Sequence, residues 1–241
     1  MKVDFKKVLL AGTAIVAVSS FAGQARAANL VMTANDVWAD GGGGVLGPAA
    51  AGDNVDIDGF DLSITNDQTA NDGSGLNTFI LGDITDGDDS GNVIIFQSAG
   101  GTGGMLDVTA DSANVGGDFT IDSDDGADQD VRVTVDNNLT VGGDLIVTNN
   151  DTDNGNVVEL FVDGNLVVDG QTQLFSGDGY TMLDLDGNAT FTGGVEIDES
   201  GGDSVDLVFD GAGTQTIAGD FTSVNGGEGS FHIANPSAGG V

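Results

Sequence analysis

The 241-residue chain contains no cysteine, two prolines and one residue each of His, Trp and Tyr. Without Cys it can form neither disulfides nor thiolate metal sites, so its stability must come from packing. His232 is the sole His, so no His-dependent triad or His-rich metal centre can be built. Basic residues are almost as scarce: five Lys and Arg stand against 39 Asp and Glu, a formal net charge of −34. Four of the five (Lys2, Lys6, Lys7 and Arg26) precede residue 28, and Arg132 alone follows. Such a surface repels nucleic acid and anionic lipid. Lyases that act on acidic sugars need a basic proton acceptor, which this composition does not supply. No Gly-x-Ser-x-Gly nucleophile elbow occurs. The Gly-rich stretch 98–104 is no phosphate cradle, because no Gly-Lys-Ser/Thr follows.

The basic start, the apolar run 8–18 and the Ala25-Arg26-Ala27 site read as a cleaved secretory signal peptide, residues 1–27. The run is too short to span a bilayer. Ala28 is the expected first mature residue, and the mature chain is expected to carry no transmembrane segment of its own.

What the chain has in abundance is glycine, 41 residues, well above the usual ~7%. The glycines are not scattered. Gly117, Gly143, Gly170, Gly194 and Gly219 close similar small-residue turns 26, 27, 24 and 25 residues apart. A second ladder runs beside the first: Asp136, Asp163, Asp186 and Asp210 each follow a short apolar strand and are 27, 23 and 24 apart. Fixed self-similarity in this range marks a repeat architecture. Within a unit the apolar period is two. Val131, Val133 and Val135 alternate with Arg132 and Thr134, and Leu139 and Val141 flank Thr140. That is a strand pattern. A unit this small cannot bury its apolar face alone but can do so stacked on its neighbours. The expected fold is therefore all-β, a parallel β-solenoid (β-helix) with about 25 residues per coil. A barrel or sandwich of hairpins gives no reason for the 25-residue offset.

The expected organisation is a signal peptide (1–27), an N-terminal cap and linker with Trp38 as a cap-packing residue (28–53), degenerate coils (54–104), regular repeats (105–233) and a tail (234–241). The apolar stretches 79–81 and 93–96 are expected to be deeply buried. The tail carries no polar cap, so the last coil is expected to continue in further residues or to be covered by something else.

Calcium is the first candidate ligand. Asp122, Asp124, Asp125 and Asp128, with Asp130, cluster in one loop, and Asp151 and Asp153, with Asn154, in the next. Oxygen-rich loops suit calcium. The specific frames fail, however. With Gly126 as sixth position, Ile121 stands where an EF-hand needs Asp, and Phe231 breaks a calcium-roll match after Gly229-Ser230. Apart from calcium no cofactor is expected, and solvated acidic turns are the competing reading. Carboxylate pairs at glycosidase spacing will arise by chance among so many acids, so they carry no catalytic signal, and no enzyme is expected.

Cys-free, Gly/Asn/Asp-rich repeats behind a signal peptide, such as Leu139-Thr140-Val141-Gly142-Gly143-Asp144-Leu145, resemble the passenger region of bacterial autotransporter and filamentous-haemagglutinin-like surface proteins. The likeness spans about residues 54–233, and the family's C-terminal translocator barrel has no counterpart here. The resemblance implies export to the Gram-negative cell surface, outer membrane or extracellular space, as a non-catalytic structural or adhesive rod. The partners expected are a host or matrix surface, or other copies of the chain in an S-layer, matrix or fibre. Nucleic acid is not among them.

Overall fold

The computed structural model describes residues 29–32, 36–39, 52–65, 76–86, 90–97, 105–123, 130–150, 155–200, 204–224 and 230–233. Among the described residues it is an all-β parallel solenoid without helix, with about 26 residues per turn. Strands follow one another as β1 (Asn29–Val31), β2 (Asp36–Ala39), β3 (Asp53–Asp56), β4 (Leu62–Thr65), β5 (Leu76–Thr85), β6 (Val93–Gln97), β7 (Met105–Val115) and β8 (Phe119–Ser123). A coil of three separate strands then repeats: β9 (Val131–Val135), β10 (Leu139–Val141), β11 (Leu145–Asn149); β12 (Val157–Val162), β13 (Leu166–Val168), β14 (Thr172–Ser176); β15 (Tyr180–Leu185), β16 (Ala189–Phe191), β17 (Val195–Glu199); β18 (Val205–Phe209), β19 (Gln215–Ile217), β20 (Phe221–Val224). β21 (Ser230–Ile233) closes the series.

The coil has three faces. The third is an eight-stranded sheet in the order β2-β4-β6-β8-β11-β14-β17-β20. The first two belong to one 13-stranded sheet, because β5 and β7 run through the corner between them. Residues 106–110 of β7 pair with β9 on the first face, and residues 113–115 pair with β10 on the second. Every strand pair is parallel, and the ladder includes β1 and β2, which pair in register with β3 and β4. Eight strands about 4.8 Å apart make a stack roughly 35 Å high.

Alternation decides what is buried. Val108, Val133, Leu160, Leu183 and Leu207 stack inward, each at most 1% exposed, and their neighbours point out. Burying an aliphatic side chain of this size contributes about 1.5–3 kcal/mol, so the columns supply the stability that disulfides cannot. Phe191 and Phe209 close the core near the last coils, edge to face at 6.4 Å. The two most apolar stretches obey the same rule and are not wholly buried. Phe79 and Leu81 point in, whereas Ile80 between them is 50% exposed; Val93 and Ile95 are buried, whereas Ile94 and Phe96 are only partly so. The side chain of Trp38 lies outside the described residues.

The small-residue turns stack directly. Amide N–H groups of Gly117, Gly143, Gly170 and Gly193 donate to the carbonyls of Gly91, Gly117, Gly143 and Gly170 respectively, at 2.9–3.0 Å. The ladder thus passes through Gly193, not Gly194 as the sequence alignment places it. Gly194, at φ +100°, takes the left-handed position that follows.

Candidate functional site

Most of the exterior carboxylates described have structural work. At the corner between the second and third faces a side-chain ladder climbs the rod. Asp61 Oδ1 accepts from the Asn92 amide (3.2 Å), Asn92 Oδ1 from that of Asp118 (2.7 Å), Asp118 Oδ1 from that of Asp144 (2.8 Å), and Asp144 Oδ1 from that of Gln171 (2.8 Å). This explains the repeated Gly-Gly-Asp. The carboxylate that satisfies the next coil's amide occupies the volume a Cβ at Gly143 or Gly170 would need. A second ladder, Asn138–Asn165–Asn188, joins side-chain amides at 3.0 and 2.7 Å beside the other end of the second face.

Alongside the asparagines, at the corner between the first and second faces, stands a column that has no such duty throughout. Register places Asp111, Asp136, Asp163, Asp186 and Asp210 one above another, all exposed. At its upper end Asp184, Asp186 and Asp210 converge, with one oxygen from each lying within 4.8 Å of the others. A hydrogen bond shared with Asp210, then partial burial, then the surrounding carboxylates raise the Asp186 carboxyl to about 6. Burial and the Asp210 charge raise Asp184 as well. Chemically, three hard oxygen donors at this spacing can share protons or hold a divalent cation such as calcium.

A carboxyl whose pKa is raised by folding is bound to its proton more tightly in the native chain. Its contribution is present below the unfolded value, about 3.9, and is lost as pH rises through about 6. The melting temperature is therefore expected to fall between pH 4 and pH 7, and Asp186→Asn to flatten that part of the profile. An Asp186→Asn profile identical to wild type would remove the column as its cause.

The first face carries further exterior contacts. Arg132 binds Glu159 through Nη2 (2.8 Å) and Nε (2.9 Å), and its guanidinium lies 5.8 Å from the Phe161 ring centroid. Tyr180 Oη donates to Asp206 (2.8 Å); burial, then that bond, raises its pKa. Arg132, the one Lys or Arg after residue 27, is thus engaged in a coil-to-coil pair.

Of the sequence-derived cation candidates, Asp122 lies on β8 and accepts from Asn150 Nδ2 at 2.8 Å. Asp124, Asp125, Asp128, Asp151 and Asp153, like Asn154, lie outside the described residues. The strands that bracket their two loops are registered neighbours, Ser123 with Asn149 and Val131 with Val158. Asp130 Oδ1 accepts from the Val157 amide (3.0 Å), tying the two loop exits together. The Asp184–Asp186–Asp210 group was visible in sequence only as a register mark. Asp184 stands one strand alternation before Asp186, and nothing in the spacing says that both reach Asp210.

Among the described residues no helix is long and apolar enough to cross a membrane. Comparisons with protein-family models, with curated proteins and with solved structures found no match to this chain.

Proposed function

We propose that this chain is a non-catalytic structural or adhesive rod, secreted or displayed at the surface of a Gram-negative bacterium in the manner of an autotransporter passenger. The observation that carries the reading is that its polar side chains are spent on stacking. The two amide-satisfying ladders and the Arg132–Glu159 pair all join one coil to the next. A chain organised in this way offers partners a stiff acidic flank. The N-terminal signal supports export, and calcium at Asp184, Asp186 and Asp210 would relieve the repulsion down the column.

Two measurements test this. Expressed in a Gram-negative host, the full chain is expected outside the cytoplasm with Ala28 as its first residue; an unprocessed cytoplasmic product would overturn the location. Calcium at neutral pH is expected to raise the melting temperature of wild type but not of Asp210→Asn. An equal shift in both would place any bound calcium elsewhere.

A self-assembling S-layer, matrix or fibre subunit is the second reading. It is favoured by β20, the last described strand of the third face, all four of whose residues are exposed.

A further inference from the structure

One corner between the second and third faces is built differently from those above it. Leu145 lies six residues after Leu139, Thr172 six after Leu166 and Phe119 six after Ala113. The partners of Ala113 and Phe119 one coil down, Ile84 and Val93, are nine apart, and the partners of those, Val55 and Leu62, are seven apart. In the regular corners backbone meets backbone. The Gly142 amide donates to the Val115 carbonyl at 2.8 Å and the Gly143 amide to that of Gly117 at 2.9 Å. Below Gly116 a side chain takes over. Asp86 follows Ile84 as Val115 follows Ala113, and it is only 5% exposed. Its Oδ2 accepts from the amides of Ser90 (3.0 Å), Gly91 (2.7 Å) and Gly116 (3.1 Å), and its Oδ1 from that of Gly59 (2.9 Å). These four amides come from three successive coils. The turn that presents the lowest is left-handed: Asp58 and Gly59 take φ +49° and +77°, and Asp58 is the one described residue other than Gly with a positive φ. The one described Lys or Arg, Arg132, is bound to Glu159 on the first face.

We propose that these four amides form an anion site with a built-in ligand, a cradle for a carboxylate that Asp86 fills and through which the regular coils are seated on the longer ones beneath. Converging backbone N–H groups carry partial positive charge and hold an oxyanion without help from a cation. A carboxylate buried at a corner costs heavily unless it is hydrogen-bonded, and four charge-assisted bonds meet that cost at Asp86. The converse holds for the amides. With the carboxylate gone, N–H groups that elsewhere on the rod meet a carbonyl would be left without an acceptor. The cradle is thus selective for a carboxylate whether or not a side chain is attached to it. Once emptied, it should take up a small free carboxylate. The site belongs to the fold and is independent of what the flanks of the rod bind.

The test uses the full chain and formate, the smallest carboxylate. Asp86→Ala should lower the melting temperature by about 5 °C or more. Asp86→Asn should lower it nearly as far, because its side-chain nitrogen is a donor set against donors. Sodium formate should then raise the melting temperature of Asp86→Ala by several degrees more than sodium chloride does at the same ionic strength. Wild type and Asp86→Asn, whose cradles are filled, should show no such difference between the two salts. A formate effect on Asp86→Ala no larger than that on wild type would overturn the anion site. An Asp86→Asn variant as stable as wild type would overturn the need for a charged ligand. Should Asp86→Ala fail to fold, circular dichroism decides: a native spectrum regained in formate and not in chloride supports the site, and no difference between the salts overturns it.

Discussion

Leu160→Asp is expected to unfold the protein at neutral pH, whereas Phe161→Asp, one residue along the same strand, leaves it folded. Leu160 is fully buried between Val133 below and Leu183 above. An unpaired carboxylate there costs several kcal/mol, a large part of the ordinary 5–15 kcal/mol of a folded domain. Phe161 points outward beside Arg132, where a carboxylate meets water, the guanidinium and, one coil on, Asp184, a like-charge contact that costs far less at the surface than burial. Far-ultraviolet circular dichroism of the two variants reads the difference directly. Two equally folded variants would show that the alternation assigned to β12 is wrong.

The second large effect lies at the corners. Gly143→Ala is expected to cost about 1–3 kcal/mol, or about 3–10 °C in melting temperature for a chain of this size. The added Cβ would collide with the Asp118 carboxylate and with the carbonyl group of Gly117. Both are fixed, the one by its bond to the Asp144 amide and the other by its bond to the Gly143 amide. Asp118→Ala in the same chain removes the carboxylate half of the collision. The loss caused by Gly143→Ala should therefore shrink in that background, and thermal melts of the double-mutant cycle measure by how much. Strictly additive losses would mean that the two residues do not share the space.

Much of this architecture is legible in sequence because a solenoid writes its contacts at a fixed offset. Asp136, Asp163, Asp186 and Asp210 fall on one column as their spacing implies, each following an inward residue of the registered set Val135, Val162, Leu185 and Phe209. The glycine ladder slips by one residue at a single place. Asn165 and Asn188 are stacked neighbours only 23 residues apart, so the coil that ends in Thr192-Gly193-Gly194 is short, and two adjacent glycines give sequence alignment no means of choosing between them. The apolar run through Ile80 misleads for a different reason. Hydrophobicity signals a strand there, but pleating alone decides which side chains enter the core.

Least legible is the buried polar column Gln97–Ser123–Asn149–Ser176–Glu199, at the inner corner where the third face gives way to the loops. These residues end strands, and in sequence they read as the beginnings of solvated loops. In the structure Asn149 Nδ2 donates to the carbonyls of Asn156 (2.9 Å) and Tyr180 (3.2 Å), Ser176 bonds the Gly179 carbonyl, and Glu199 Oε1 accepts from the Val205 amide (3.1 Å). Each fastens a returning loop to the corner, and the Asn149–Tyr180 bond also reaches the next coil. Their function depends on which backbone groups come back to the corner, and periodicity does not encode that.

Spin labels placed on one outward column of the second face give the most direct test of stacking. Register aligns Asp56, Thr85, Asn114, Thr140, Val167, Thr190 and Thr216 along the rod. With strands about 4.8 Å apart, labels at Asn114 and Thr216 should be separated by about 19 Å and labels at Asp56 and Thr216 by about 29 Å. Pulsed dipolar spectroscopy should return distances that grow in proportion to the number of coils crossed. Separations that fail to grow with coil number, or neighbouring labels lying far apart, would contradict parallel stacking of the coils.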